Sequence, residues 1–201
     1  MIVASFFTRN GSYPQLAQRL SDSCTRLGLH HRIVEAADTG QWKSSNNMKV
    51  AVIHQFMFEL RRPVLWVDVD CEILKLPILL WEEDHDFAAY NWHGDSDNVN
   101  HVPYDPSRLF CSGGVLWFRY TAPAMELLWR WRAALAANPQ GVDDQVLDEV
   151  YNSARPPVRP LWLPRTYNFM TRLYGDPTPD VVIRHDFVEG GHRDEKAVTL
   201  K

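Results

Sequence analysis

The sequence predicts an α/β domain built on a mainly parallel central sheet flanked by helices. Short β-rich apolar runs alternate along the chain with stretches of helical periodicity. One run, "VLWVDVD" at 64–70, opens without a polar residue, as a strand covered on both faces of a parallel sheet does. The 201 residues, 45% hydrophobic and 23% charged, suit one domain with a single sizeable core.

The elements follow in order. "IVASFFT" is the first strand. From Tyr13, Leu16, Leu20 and Leu27 recur at helical spacing, and Gly28 is placed to end the helix. "HRIVEAA" is the second strand, followed by a polar loop, "DTGQWKSSNN". Met48, Val52, Phe56 and Leu60 mark a helix that Pro63 stops, and "VLWVDVD" follows as a strand. "DFAAYNW" is a strand, 93–108 a long loop and "GGVLWFR" another strand. Thr121 and Pro123 take N-cap and first-turn positions of a helix that turns Met125, Leu128, Trp131 and Leu135 inward. "GVDDQVLDEVY" starts a further helix, and "VRPLWLP" and "DVVIRH" are late strands. The polar stretch after 186 is expected to be a tail or lid, so residues 1–186 form the domain and 187–201 the tail.

Composition narrows the function. A net charge of −4 gives no global basic field for nucleic acid. The three cysteines (Cys24, Cys71, Cys111) form neither an even framework nor a C-x-x-C pair, which fits a reducing, cytoplasmic compartment. No segment approaches the roughly twenty apolar residues of a membrane helix, and the N-terminal run lacks the basic lead of a signal peptide.

The chemistry concentrates at Asp68 and Asp70. On an extended strand, residues i and i+2 point the same way, and open α/β sheets bind ligands at the carboxyl ends of their strands. Two hard oxygen donors there suit Mg²⁺ or Mn²⁺, which would neutralise a diphosphate. D-x-D also arises by chance as solvated charge. The buried strand before it favours the site.

"VLWVDVDCEIL" resembles the D-x-D segment of the GT-A-fold glycosyltransferases, the nucleotide-diphospho-sugar transferase group. The layout agrees: the first strand and helix, "KSSNNMKVAVIHQFM" before the pair, "CSGGVLWFR" after it, then "DDQVLDEVY" and a late "VIRH", over roughly residues 2–186. The resemblance implies a single GT-A-like, Rossmann-like domain. It also implies a metal-dependent transfer from a nucleotide-diphosphate sugar, with a UDP-sugar the favoured donor. His185 takes the place of the C-terminal histidine that completes the metal site in that pattern. An Asp68, Asp70, His185 set then suits Mn²⁺ better than Mg²⁺, because imidazole favours the softer ion. Asp68 also belongs to the donor site.

Other roles are carried over from the same pattern. Ser112 and Gly113 contact the donor sugar, although glycines before a strand also mark plain turns. Asp143 and Asp144 open a helix. One explains itself as an N-cap, and Asp144 is the preferred catalytic carboxylate, with Asp143 as the cap or the reverse. Asp144 with Gln145 resembles retaining members. Lys49 matches a basic residue that reaches the donor, or is a solvated helix charge. Thr8 and Arg9 end the first strand where base and ribose would lie, and Tyr13 is either a base-stacking ring or a core residue. Trp42 is a lid candidate, His192 a fallback ligand, and loop 92–108 a candidate for acceptor recognition or closure. Arg155, Arg159, Arg165 and Arg172 form either a basic rim or plain surface charge. The acceptor stays open among a glycan, a protein side chain, a metabolite and a hydroxylated nucleobase, and no oligomeric state is read from the chain.

Three rival readings exist. Haloacid-dehalogenase-like phosphatases also use D-x-D, with Asp68 as nucleophile, but expect Thr or Val where Glu72 stands. A GT-A domain that binds sugar nucleotide without turnover is the non-catalytic alternative. Sugar-nucleotide pyrophosphorylases need a glycine-rich basic loop that "TRNGSYPQ" matches poorly.

Overall fold

A computed structural model describes residues 1–37, 42–81, 84–154 and 157–185. In chain order the elements are β1 (Ile2–Phe7), α1 (Tyr13–Arg26), β2 (His31–Glu35), α2 (Trp42–Leu60), β3 (Val64–Val67), β4 (Cys71–Ile73) and β5 (Phe87–Asn91). Then follow β6 (Cys111–Phe118), α3 (Ala122–Ala137), α4 (Asp143–Ala154), β7 (Pro160–Trp162), β8 (Phe169–Met170), α5 (Thr171–Tyr174) and β9 (Ile183–His185). Trp42 opens α2, but its side chain lies outside the described residues, as do Arg155, His192 and the tail.

The six-stranded sheet has the order β2-β1-β3-β6-β5-β7. It is mostly parallel; β6 alone runs against both of its neighbours. Successive residues feed opposite faces, as the pleat dictates. Trp66, Leu116 and Phe118 pack with α2, α3 and α4 on one side, while Leu65, Val67, Val115 and Trp117 join Leu20 and Cys24 of α1 on the other. A second sheet, β4-β9-β8, covers that other side. Two-sided burial explains the unbroken apolar run of "VLWV".

The expected helix signals hold at Thr121, whose hydroxyl accepts from the Ala124 amide, and at Gly28, which takes φ +66° just past α1. Leu128, Trp131 and Leu135 are buried in α3, so its tryptophan–arginine stretch is a core helix.

Three boundaries differ from expectation. The helix α2 begins at Trp42, inside the stretch expected as polar loop. Asn47 anchors that end by donating to the Pro139 carbonyl, 3.1 Å away, so docking outweighs the weak helix propensity of serine and asparagine. Only the last three residues of "DVVIRH" form a strand. Most consequentially, β3 stops at Val67, and a turn closed by the Cys71 amide on the Asp68 carbonyl (2.9 Å) replaces the extended D-x-D.

Candidate active site

Because β6 runs antiparallel to β3, its first residues lie beside the carboxyl end of β3, where the Asp68 amide donates to the Gly114 carbonyl at 2.8 Å. The turn after β3 sends the two aspartates to different partners. Trp66 and Asp68 share a face, and the indole Nε1 donates to Asp68 Oδ1 at 2.8 Å. Asp70 turns toward β9, where its Oδ1 lies 3.4 Å from His185 Nε2. Arg19 of α1 holds the turn by donating to the Asp70 carbonyl at 2.9 Å.

On the α2 side, Lys49 is 3% exposed and reaches three acceptors: Asp143 Oδ2 at 2.6 Å, the Gly113 carbonyl at 2.8 Å and Asp68 Oδ1 at 3.1 Å. The ammonium donates to the Gly113 carbonyl and forms ion pairs with the two carboxylates. Burial alone would lower its pKa. The Asp143 and Asp68 carboxylates overrule that and raise the Lys49 pKa above its usual value. Burial likewise opposes the charge on Asp68, yet Lys49 first, then His185 and the Trp66 N–H, hold its carboxyl low.

His185 completes the opposite wall. A Cβ on Gly114 would come within 2.3 Å of the imidazole Cε1 and 2.5 Å of Nδ1, so the ring rests on a backbone that only glycine allows. Asp70, Cys71 and His185 each bring a ligand atom within 4.8 Å of the others. Cys71 is the weakest of the three as a ligand. Burial, with Asp70 and Asp68 nearby, pushes its thiol pKa well up, and the thiol donates to the Gly114 carbonyl at 3.8 Å. Carboxylate and imidazole facing each other around a shaped cradle fit a divalent cation of the Mn²⁺ or Mg²⁺ type.

A family model for nucleotide-diphospho-sugar transferases matches residues 18–199. The chain belongs to that family. The fold of this transferase chain is also that of a solved structure described as a glycosyltransferase involved in the glycosylation of the major capsid of PBCV-1. The two share 15% identity and a TM-score of 0.68, with 92% of each chain covered. No curated protein sequence matches significantly.

Within the transferase, the predicted residues divide. Lys49, Asp68, Asp70, Gly113, Asp143 and His185 converge, with Lys49 a buried tie among three acceptors rather than a solvated charge. Gly113 has no room for a side chain: a Cβ there would lie 3.1 Å from both Asp144 Cβ and Lys49 Nζ. Ser112 is nearly buried beside it in β6, and Thr8 is nearly buried where β1 ends at the same sheet edge. Tyr13 is half-buried; burial, then the charges of Asp70 and Asp68, raise its phenol pKa. Arg9 points away, its exposed guanidinium 2.6 Å from Glu35. Gln145 is exposed and contributes its backbone amide, which donates to Asp144 Oδ1 at 2.8 Å.

Neither aspartate of α4 is the expected N-cap, because the helix starts at Asp143 itself. Both stand in the first turn, where the helix dipole favours negative charge. The basic-rim reading of the arginines weakens as well. Arg159 pairs with Asp86 (3.2 Å) and Asp84 (3.6 Å), and Arg165 with Asp95 (3.0 Å).

Sequence reasoning missed a ladder that fixes α4 against β6. Asp144 faces Gly113, Asp148 accepts from the Cys111 amide at 2.9 Å, and Asn152 exchanges two hydrogen bonds with Leu109, at 2.9 and 2.8 Å. The match is metric: four helical residues rise about 6 Å, and two strand residues about 6.6 Å. The only sequence signal was three polar residues at i, i+4, i+8.

Burial pushes the Asp148 carboxyl up to about 8, against the hydrogen bonds from Cys111 and with help from Asp144 and Asp143. A folded pKa above the unfolded one gives stability that is complete below the unfolded value and lost as pH rises through the folded one. Asp148→Asn keeps an acceptor for the Cys111 amide and removes that loss. Its denaturation midpoint is expected to exceed the wild-type midpoint at pH 9 and to approach it at pH 4. Parallel pH profiles for the two proteins would refute this.

Proposed function

We propose that this chain transfers a sugar from a nucleotide-diphosphate sugar, with a UDP-sugar the favoured donor and Mn²⁺ the favoured ion. The observation that carries the metal-dependent reading is the facing of Asp70 and His185 at the carboxyl end of the sheet, 3.4 Å apart. Asp70 and His185 would hold the ion, with Asp68 contributing from the Lys49 side. A bound ion supplies Lewis-acid stabilisation of the diphosphate leaving group.

The chain's own residues do the positioning. Lys49 holds Asp68, Asp143 and the Gly113 carbonyl in one arrangement, which fixes these groups before substrate arrives. The backbone at Ser112 and Gly113 offers close approach to the sugar. Asp144 is the catalytic carboxylate of this reading, with Asp143 committed to Lys49, and Gln145 orients it through its amide. Thr8 and Tyr13 line the nucleotide side, and retention is the favoured outcome. Three buried, unpaired cysteines fit a cytoplasmic setting. Among the described residues no helix is long and apolar enough to cross a membrane.

The family match favours sugar transfer over the phosphatase reading. So does the site, since Asp68 Oδ1 is engaged by Lys49 and Trp66 rather than presented as a nucleophile. Thermal stability against a panel of nucleotide sugars, with Mn²⁺ and with EDTA, tests the proposal. At a ligand concentration a hundred times Kd, a gain of about 2.7 kcal/mol is expected. It should require Mn²⁺ and vanish in Asp70→Ala. Silence toward every nucleotide, with ester hydrolysis lost in Asp68→Ala, would overturn it.

A further inference from the structure

The side chain of His185 is oriented by a residue that neither the D-x-D pattern nor the family assignment brings forward. Asn168 is fully buried and follows a single 3₁₀ turn, Arg165–Tyr167. Its Oδ1 lies 3.1 Å from His185 Nδ1. An amide oxygen only accepts, so the contact requires the proton on Nδ1. In the neutral imidazole that binds a cation, the one N–H is then on Nδ1 and the lone pair on Nε2, the nitrogen that faces Asp70. That is the form of histidine that ligates a cation.

The segment carrying Asn168 is well anchored. The Val182 amide donates to the Thr166 carbonyl at 2.8 Å, the Leu79 amide donates to the Tyr167 hydroxyl at 3.0 Å, and β8 pairs with β9 so that Met170 stands opposite His185. With Gly114 beneath the ring, His185 is held at its face and at Nδ1. The Asn168 Nδ2 makes no hydrogen bond among the described residues. A buried donor left without a partner is a cost, and such a cost is consistent with selection for the oxygen rather than for the amide as a whole.

We propose that Asn168 is the positioning residue of the metal centre, selecting the Nδ1–H tautomer of His185 and aiming Nε2 at the ion. The proposal rests on the metal-dependent reading above. Partners of this outer kind hold ligand orientation and commonly change metal affinity by roughly ten- to a hundredfold when removed.

Two measurements test it on the full chain. Mn²⁺ titration followed by electron paramagnetic resonance at pH 8, without donor, should show Asn168→Ala binding ten- to a hundredfold more weakly than wild type. Asn168→Asp, which keeps an acceptor, should stay within a few-fold. Equal affinity in Asn168→Ala, or equal loss in both variants, overturns the proposal, the second because it marks a packing role alone. Nitrogen-15 spectra of the metal-free imidazole should show the Nδ1–H tautomer in wild type and its loss in Asn168→Ala. An unchanged tautomer also overturns it. If the wild type binds no Mn²⁺ at all, the metal-dependent reading falls, while the tautomer spectra still decide what Asn168 does.

Discussion

Replacing Lys49 by methionine is expected to lower stability by about 3–5 kcal/mol, the usual cost of removing one partner from a buried ion pair, and to abolish sugar transfer. Methionine fills similar space but leaves Asp143, whose side chain is 4% exposed, without its cation. Asp68 loses the same partner at its less buried carboxylate, and the Gly113 carbonyl loses a donor. Adding Asp143→Asn to Lys49→Met should recover much of the stability, because it removes the stranded charge, yet recover no activity. Denaturant unfolding of the two variants checks the first statement, and turnover the second. A loss below about 1 kcal/mol, the range of exposed pairs, would mean that Lys49 is not the tie among these groups.

Gly114→Ala should be nearly as damaging, by a route that is steric rather than electrostatic. The added carbon would meet the His185 ring at 2.3 Å, well inside contact distance. The obstacle is a buried ring held at Nδ1, so either the ring or β6 must move. Overpacking of this kind costs roughly 1–3 kcal/mol. The distinguishing result is that Mn²⁺ no longer raises the melting temperature, while the fold persists by circular dichroism. Wild-type Mn²⁺ affinity in Gly114→Ala would show that His185 is not the ligand.

The two predictions mark what the sequence makes legible. Periodicity and the buried strand before Asp68 identify the sheet, the helices and the edge on which the chemistry gathers. The pairing of His185 with Asp70 came from the resemblance in motif order, and the structure brings the two together. What escaped was tertiary. Nothing local distinguishes a solvated lysine from Lys49, since its partners lie 19, 64 and 94 positions away. Asn168 sits in "RTYNFM", an unremarkable run until β8 pairs with β9. The extended D-x-D was expected because strand geometry is the simplest way to align two side chains. The chain turns instead, and the two carboxylates meet different partners, Asp68 with Lys49 and Asp70 with His185.

The long connection between β5 and β6 has its own consequence. Asn98 ties Trp92, Asp95 and Val102 together, and Arg165 grips Asp95 through several hydrogen bonds. The connection leaves β5 and returns to β6 at the sheet edge that carries the site, so it stands as a braced wall rather than a hinged flap. A graft of this loop from one transferase to another would therefore carry two sockets with it, Asp95 for Arg165 and Asn98 for its own carbonyls. Val99 and Tyr104, whose side chains turn outward from this frame, are the positions where substitutions would leave its bracing intact.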